Sequence, residues 1–395
     1  MGRLSTLDDW LNYQENLHSH EIDLGLERIQ AVYQKLFPNG VSFKVITVAG
    51  TNGKGSTIAF IDSIYQQSNY KVAKFTSPHI LQYGERFSVN GTQIADAKIC
   101  SAFEEIERVR GDISLTYFEF STLAALIIFT NEKVDIAILE IGLGGRLDSV
   151  NVVDSDVGVI TNIDIDHIDY LGATRELIGF EKAGIMRSNI PCVCGDANPP
   201  NAIAQYAEKI GASLTFVDTP YLGAISLQGE HQKTNAAVAI AAVNQLQSVF
   251  SVNQNQLARG VENAQLLARF QVKTVGDKML IFDVAHNPAA VQVLADTLKI
   301  NEQPTLAIFS ALQDKDIETM ISTIAPLIDE WLLVPLKVNR AIAIQDLSKK
   351  FGLSDKIRIC DDMSSAIHQA LNGKHIQRIV IFGSFYIVAD ALKIL

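Results

Sequence analysis

A chain of 395 residues has room for two or three domains, and 48% hydrophobic against 19% charged residues excludes a largely disordered protein. With 33 Lys and Arg against 44 Asp and Glu the net charge is −11, and no basic cluster interrupts it, so nucleic acid is not an expected partner. The longest apolar run, Leu123 to Phe129, is far shorter than the roughly 20 residues of a membrane span. Asp8 and Asp9 stand where a signal peptide would carry its apolar segment, so no membrane association and a cytoplasmic location are expected. Cys100, Cys192, Cys194 and Cys360 include one close pair but lack the second pair of a structural zinc site, and they read as reduced thiols. Met1-Gly2-Arg3-Leu4-Ser5-Thr6 matches a myristoylation pattern, which is short and needs a eukaryotic transferase, and it is set aside.

Along the chain, short β-branched runs alternate with stretches of helical periodicity. Lys44 to Ala49 reads as a strand, followed by a glycine-rich turn and a helical segment from Ile58 to Gln67. Phe118 and Phe120 open an apolar helix. Val134 to Glu140, Asp156 to Thr161 and Ile190 to Cys194 read as further strands, and His231 and Asn235 begin an alanine-rich helix. A second alternating series runs through Met279 to Asp283, Thr305 to Phe309, Glu330 to Val334 and Arg378 to Phe382. The pattern predicts an α/β protein: an N-terminal domain with a mainly parallel sheet, residues 1–270, and a smaller C-terminal Rossmann-like α/β domain, residues 271–395. The junction is placed near Arg269 to Gly276, where a helix ends and a polar link precedes the new strands.

The turn after the first strand is Gly50-Thr51-Asn52-Gly53-Lys54-Gly55-Ser56-Thr57. Strand, glycine loop and helix together form the context of a phosphate loop. Glycines let backbone N–H groups face phosphate oxygens, the helix N-terminus adds a positive dipole end, Lys54 adds a point charge, and a hydroxyl can reach Mg²⁺. The common G-x-x-x-x-G-K-[ST] pattern is varied here, with Val48 at its first glycine, Gly55 at its hydroxyl position and Ser56 displaced by one residue. Triphosphate binding by a P-loop ATPase-like N-terminal domain is the expectation.

Other residues carry chemistry less specifically. Glu140 ends an apolar strand on the loop's side of the sheet, where a carboxylate can hold Mg²⁺. Asp164, Asp166, His167 and Asp169 follow another apolar strand, and taken alone they read as readily as a solvated turn. Lys182, beside Glu181 on a helix, reads alone as a surface lysine or half of an ion pair. His231 and Asn235 suit a helix cap, and His286 with Asn287 and Pro288 suits the start of the next helix. Arg269 at the junction and Asp283 at the end of what is read as the second domain's first strand could reach a crevice.

Six segments in order give a resemblance. The phosphate loop resembles that of the Mur ligase superfamily. Thr76-Ser77-Pro78-His79, Leu139 to Asp148 (LEIGLGGRLD), Asp166-His167 with Leu171-Gly172, Glu181-Lys182-Ala183-Gly184-Ile185 and Phe282 to Pro288 (FDVAHNP) make the chain similar to its folate branch, the bacterial bifunctional dihydrofolate synthase/folylpolyglutamate synthases. Asp283-Val284-Ala285 departs from the Asp-Gly-Ala usual in the wider family.

The resemblance implies a ligase that joins L-glutamate to dihydropteroate and to folates through an acyl phosphate made with ATP. It implies Mg²⁺ ligands at Ser77, Glu140 and His167, a carbamylated lysine at Lys182, and ATP contacts from Gly50 to Ser56, Asn235, Arg269 and Asp283. His286 is expected near the phosphates or the incoming glutamate. Asp23-Leu24-Gly25, Thr116-Tyr117-Phe118-Glu119 and Leu147-Asp148-Ser149 match dihydropteroate-binding segments. Closure of the domains, with open and closed forms, and a monomer are expected. Two rival readings stay open: a peptidoglycan-type Mur ligase, for whose extra N-terminal domain little chain precedes Gly50, and a nucleotide-driven switch protein with no product beyond slow hydrolysis.

Overall fold

The computed structural model describes residues 4–352 and 356–395, so Gly2 of the myristoylation pattern lies outside the described residues. The chain divides into two compact units, Met1–Ser226 with Gln232–Gln265, and Leu227–His231 with Leu266–Leu395. Among the described residues no helix is long and apolar enough to cross a membrane.

Among the described residues the first unit is built on eight strands: β1 (Lys44–Ala49), β2 (Val72–Phe75), β3 (Phe87–Val89), β4 (Thr92–Gln93), β5 (Ile136–Glu140), β6 (Val157–Ile160), β7 (Pro191–Cys194) and β8 (Ser213–Phe216). Their spatial order is β4-β3-β2-β5-β1-β6-β7-β8, with every pairing parallel except β2–β3 and β3–β4, which are antiparallel. β1 and β5 are buried almost throughout and read as continuous apolar runs, as strands of a parallel sheet covered on both faces do. Helix Tyr117–Glu132 is buried at eleven consecutive positions from Glu119 to Phe129, which is why it lacks an amphipathic stripe. Helix Lys54–Gln67 begins four residues before the periodicity suggests, so Ser56 falls in its first turn. Against it packs helix Gln254–Asn263, where a Cβ on Gly260 would lie 2.4 Å from Ile64 Cα, so only glycine allows the approach.

The second unit holds β9 (Gln271–Val275), β10 (Lys278–Phe282), β11 (Thr305–Phe309), β12 (Glu330–Leu333), β13 (Ile357–Ile359) and β14 (Arg378–Phe382) in the order β13-β12-β11-β14-β10-β9. β9 alone runs antiparallel. The expected polar link is therefore largely a strand: β9 is an exposed edge whose side chains need no apolar character, joined to β10 by a turn at Gly276, φ +61°. Asp283 accordingly follows the second strand of this unit, not the first. Ile281, Phe309, Trp331, Leu333 and Phe382 centre its core.

Candidate active site

Four adjacent strands, β2-β5-β1-β6, are mutually parallel, so the segments leaving their C-terminal ends share one edge at a strand spacing of about 4.8 Å. Those segments carry Ser77 after β2, Glu140 at the end of β5, the phosphate loop after β1 and His167 after β6. This is where ligands bind in open α/β sheets.

The loop is strapped to the segment after β6. Thr51 N–H donates to Asn162 O at 2.9 Å, Asn52 N–H to Asn162 Oδ1 at 2.7 Å, and Thr161 Oγ1 to Asn52 O at 2.6 Å. Gly50 has φ +151°, and a Cβ there would fall 1.8 Å from Thr161 Oγ1. Gly53, at φ +83°, caps helix Lys54–Gln67, and a Cβ on it would lie 2.6 Å from Asn235 Oδ1, so the structure brings Asn235 against the loop. Lys54 Nζ donates to Gly50 O at 3.0 Å and Thr51 O at 3.2 Å, folded over the turn it belongs to. Gly55 and buried Ser56 complete the first helical turn. Thr161 and Asn162 went unrecognised in the sequence because their partners lie about 110 positions away.

Ser77 N–H donates to Glu140 Oε2 at 3.0 Å, which places the two candidate metal-binding residues side by side. Glu140 is buried; His167 is partly exposed, in left-handed backbone at φ +51°, with its N–H on Asp166 Oδ1. Lys182, in helix Arg175–Ala183, is 3% exposed, which overturns the surface-lysine reading; the ion pair on this helix belongs to Glu181, 2.8 Å from Arg146. Gly145 lies flush on the helix, since a Cβ there would be 2.6 Å from Glu181 O and 3.0 Å from Lys182 Cα. Burial, and secondarily Lys54, pushes the Lys182 ammonium down to about 7, while Asp166 and Asp148 act in the opposite sense. Among the described residues no three His, Cys, Asp or Glu side chains cluster to hold a metal. Glu140 and His167 with serine hydroxyls fit Mg²⁺ only as a weakly anionic set.

The three candidate pteroate segments also meet within this unit. Gly25 N–H donates to Leu147 O at 3.3 Å. Phe118 is partly exposed, unlike the core residue Phe120, and stacks on Phe75 at 5.7 Å and 26°. A Cβ on Gly142 would sit 2.7 Å from the Phe118 ring and 3.4 Å from Asp148 Oδ2. Asp148 accepts N–H groups of Leu143 and Val150 at 2.8 and 2.9 Å, yet burial lifts its carboxyl to about 6. Ser149 Oγ is 2.7 Å from Thr122 Oγ1. Thr116 and Glu119 form a reciprocal capping box for helix Tyr117–Glu132, and Tyr117 lies under the Arg86 guanidinium. Asp23 and Leu24 are partly exposed in the loop before helix Glu27–Leu36.

In the second unit Asp283 accepts N–H groups of Phe270 and Ala285, both at 2.8 Å. Arg269 lies over the Phe385 ring at 5.4 Å, and both its neighbours, Ala268 and Phe270, have left-handed backbone at φ +56° and +46°. His286 Nδ1 is 2.8 Å from Val284 O, and its ring packs near Phe385. Asn287 caps helix Pro288–Lys299. His231 is held down to about 4 by burial and then by Arg269.

The Mur ligase middle domain matches residues 48–193, and the Mur ligase glutamate ligase domain matches residues 268–385. The chain is 39% identical to the Escherichia coli dihydrofolate synthase/folylpolyglutamate synthase, over 99% of this chain and 96% of that one. It belongs to the dihydrofolate synthase/folylpolyglutamate synthase family. Membership carries the ligase chemistry, ATP-dependent attachment of glutamate in folate metabolism. A structure of E. coli FolC in complex with DHPP and ADP superposes with a TM-score of 0.92 at 38% identity, covering 99% of this chain and 97% of that one. A bifunctional folylpolyglutamate synthase/dihydrofolate synthase with Mn, AMPPNP and L-glutamate bound gives 0.90 at 37%, covering 99% and 98%. The α/β architecture of this chain, with a large mostly parallel sheet followed by a second sheet, is that of the family.

Proposed function

We propose that this chain joins L-glutamate to dihydropteroate, giving dihydrofolate, and to folates already carrying glutamate. The substrate carboxylate attacks the γ-phosphorus of ATP, the bond to ADP breaks, and the glutamate amine displaces phosphate from the resulting acyl phosphate. The observation that carries this reading is the shared strand edge that presents the phosphate loop, Glu140 and His167, with buried Lys182 coupled electrostatically to Lys54.

Gly50 to Ser56 would cradle the triphosphate with backbone N–H groups, and Lys54 would offset its repulsion from the attacking carboxylate. We assign Asn235 to the adenine, Asp283 to the ribose hydroxyls, Arg269 to phosphate, and His286 to the phosphates or the incoming glutamate. Mg²⁺, when bound, supplies charge neutralisation at the phosphates; Ser56, Ser77, Glu140, His167 and carbamylated Lys182 would hold it. An ammonium pushed down to about 7 leaves a large neutral amine fraction, the form that adds CO₂ and releases a proton. Asp23 to Gly25, Thr116 to Glu119 and Leu147 to Ser149 would enclose the pteroate, with Phe118 against the flat ring. The four free cysteines, three of them buried, suit the reducing cytoplasm, and we propose a monomer.

ADP release measured with dihydropteroate and glutamate, singly and together, tests the reading. Release is expected only with both. Release in the absence of either, or a requirement for a UDP-linked acceptor, would refute it.

A further inference from the structure

The loop before helix Glu27–Leu36 and the start of helix Tyr117–Glu132 are far apart in sequence, and one side chain joins them. Arg28 Nη1 lies 2.7 Å from Asp23 Oδ2, its Nη2 donates to Asp23 O at 2.7 Å, and its Nε donates to Glu119 Oε2 at 3.4 Å. Nη2 also stands 3.4 Å from Glu119 Oε1, a buried oxygen with no hydrogen-bond donor among the described residues. A planar guanidinium spreads five N–H donors over a fixed fork wide enough to face two separated carboxylates, whereas the three donors of an ammonium all radiate from one nitrogen. Asp23 has a second brace: His18 Nε2 lies 3.0 Å from its Oδ2, while His18 Nδ1 lies 3.0 Å from Ser114 Oγ. Arg110 in turn donates to Ile113 O, the residue before Ser114. The loop is thus tied at both ends to the framework that carries Thr116 and Glu119.

We infer that Arg28 is a positioning residue for the pteroate substrate, holding the Asp23 loop and Glu119 in one fixed spacing while touching neither ATP nor the reacting carboxylate. This rests on the reading above, in which residues 23–25 and 116–119 enclose that substrate. Burial raises the Glu119 carboxyl, and the Thr116 N–H and the Arg28 guanidinium oppose the rise, so the clamp also favours its ionised form.

The test compares wild type, Arg28→Gln and Arg28→Lys for KM toward dihydropteroate, ATP and glutamate, with a thermal melt of each protein. In Arg28→Gln the KM for dihydropteroate should rise by about tenfold or more while those for ATP and glutamate stay within about twofold. Arg28→Lys should fall between, because an ammonium keeps the charge but not the fixed, wide fork that sets the spacing of the two carboxylates. A dihydropteroate KM within about twofold of wild type in Arg28→Gln, or all three KM values rising together, would overturn the assignment. If Arg28→Gln does not fold, Arg28→Lys decides: a rise confined to dihydropteroate supports the clamp, and wild-type KM values overturn it. Wild type that does not turn over with dihydropteroate and glutamate overturns the functional reading and this inference together.

Discussion

Replacing Lys54 with alanine removes the positive charge that arches over the phosphate loop. In the structure Nζ donates to Gly50 O, on a buried residue, and to Thr51 O, on a partly exposed one. Each such bond contributes about 1 kcal/mol, so the stability loss should be about 1–2 kcal/mol, a few degrees in Tm. The catalytic loss is larger. A unit charge about 4 Å from developing phosphoryl charge, at an effective dielectric near 20, stabilises it by about 4 kcal/mol, or about a thousandfold in rate. Phosphate release at saturating ATP, dihydropteroate and glutamate, read beside a thermal melt, measures both. Because Lys54 also depresses the Lys182 ammonium, the variant should carry less CO₂ adduct at Lys182. Phosphate release at the wild-type rate would refute the reasoning outright, and loss of turnover accompanied by unfolding would refute the claim that the charge acts on chemistry.

Lys182 should gain the mass of one CO₂ in bicarbonate and lose it on removal of CO₂; fully active protein with an unmodified Lys182 under ample CO₂ would contradict the carbamate. Gly50→Ala drives a Cβ onto a hydroxyl that holds Asn52, and should cost about 3 kcal/mol with loss of nucleotide affinity; unchanged ATP binding would show that the strap is dispensable. Phe118→Ala should raise the KM for dihydropteroate by about tenfold and leave that for ATP in place, the reverse pattern being incompatible with a ring-stacking role. His231 sits at about 4 when folded against 6.5 unfolded, so its contribution of about 3 kcal/mol is complete above pH 6.5 and disappears as pH falls toward 4. Urea midpoints of wild type and His231→Asn should therefore converge on acidification; parallel pH curves would exclude His231 as the source.

The buried strands were legible because residues such as Val45, Ile46, Ile138 and Leu139 have no polar face to show, and the phosphate loop because strand, glycines and helix are contiguous. β2 was not: it has four residues, and one of them, Lys74, spends its charge on Asp62 at 2.8 Å. β9 looked like a linker because an exposed edge strand is composed like one. Lys182 looked like a surface residue because a lysine beside a glutamate on a helix ordinarily keeps its charge in water. Its burial depends on a glycine pair about 35 positions upstream that lies flat enough to cover it. Arg28 gave no local signal at all, since each carboxylate it faces is known only from the folded chain.

The eleven enclosed positions of helix Tyr117–Glu132 leave Tyr117 and Phe118, in its opening turn, as the part of it beside the candidate pteroate segments that a ligand can reach. An aromatic ring mounted there inherits the immobility of the protein interior, because tilting it means disturbing the whole apolar rod beneath. Drift toward a different flat substrate would then have to arise in the lateral neighbours Phe75 and Gly142, which can change the room around the ring while its mount stays fixed.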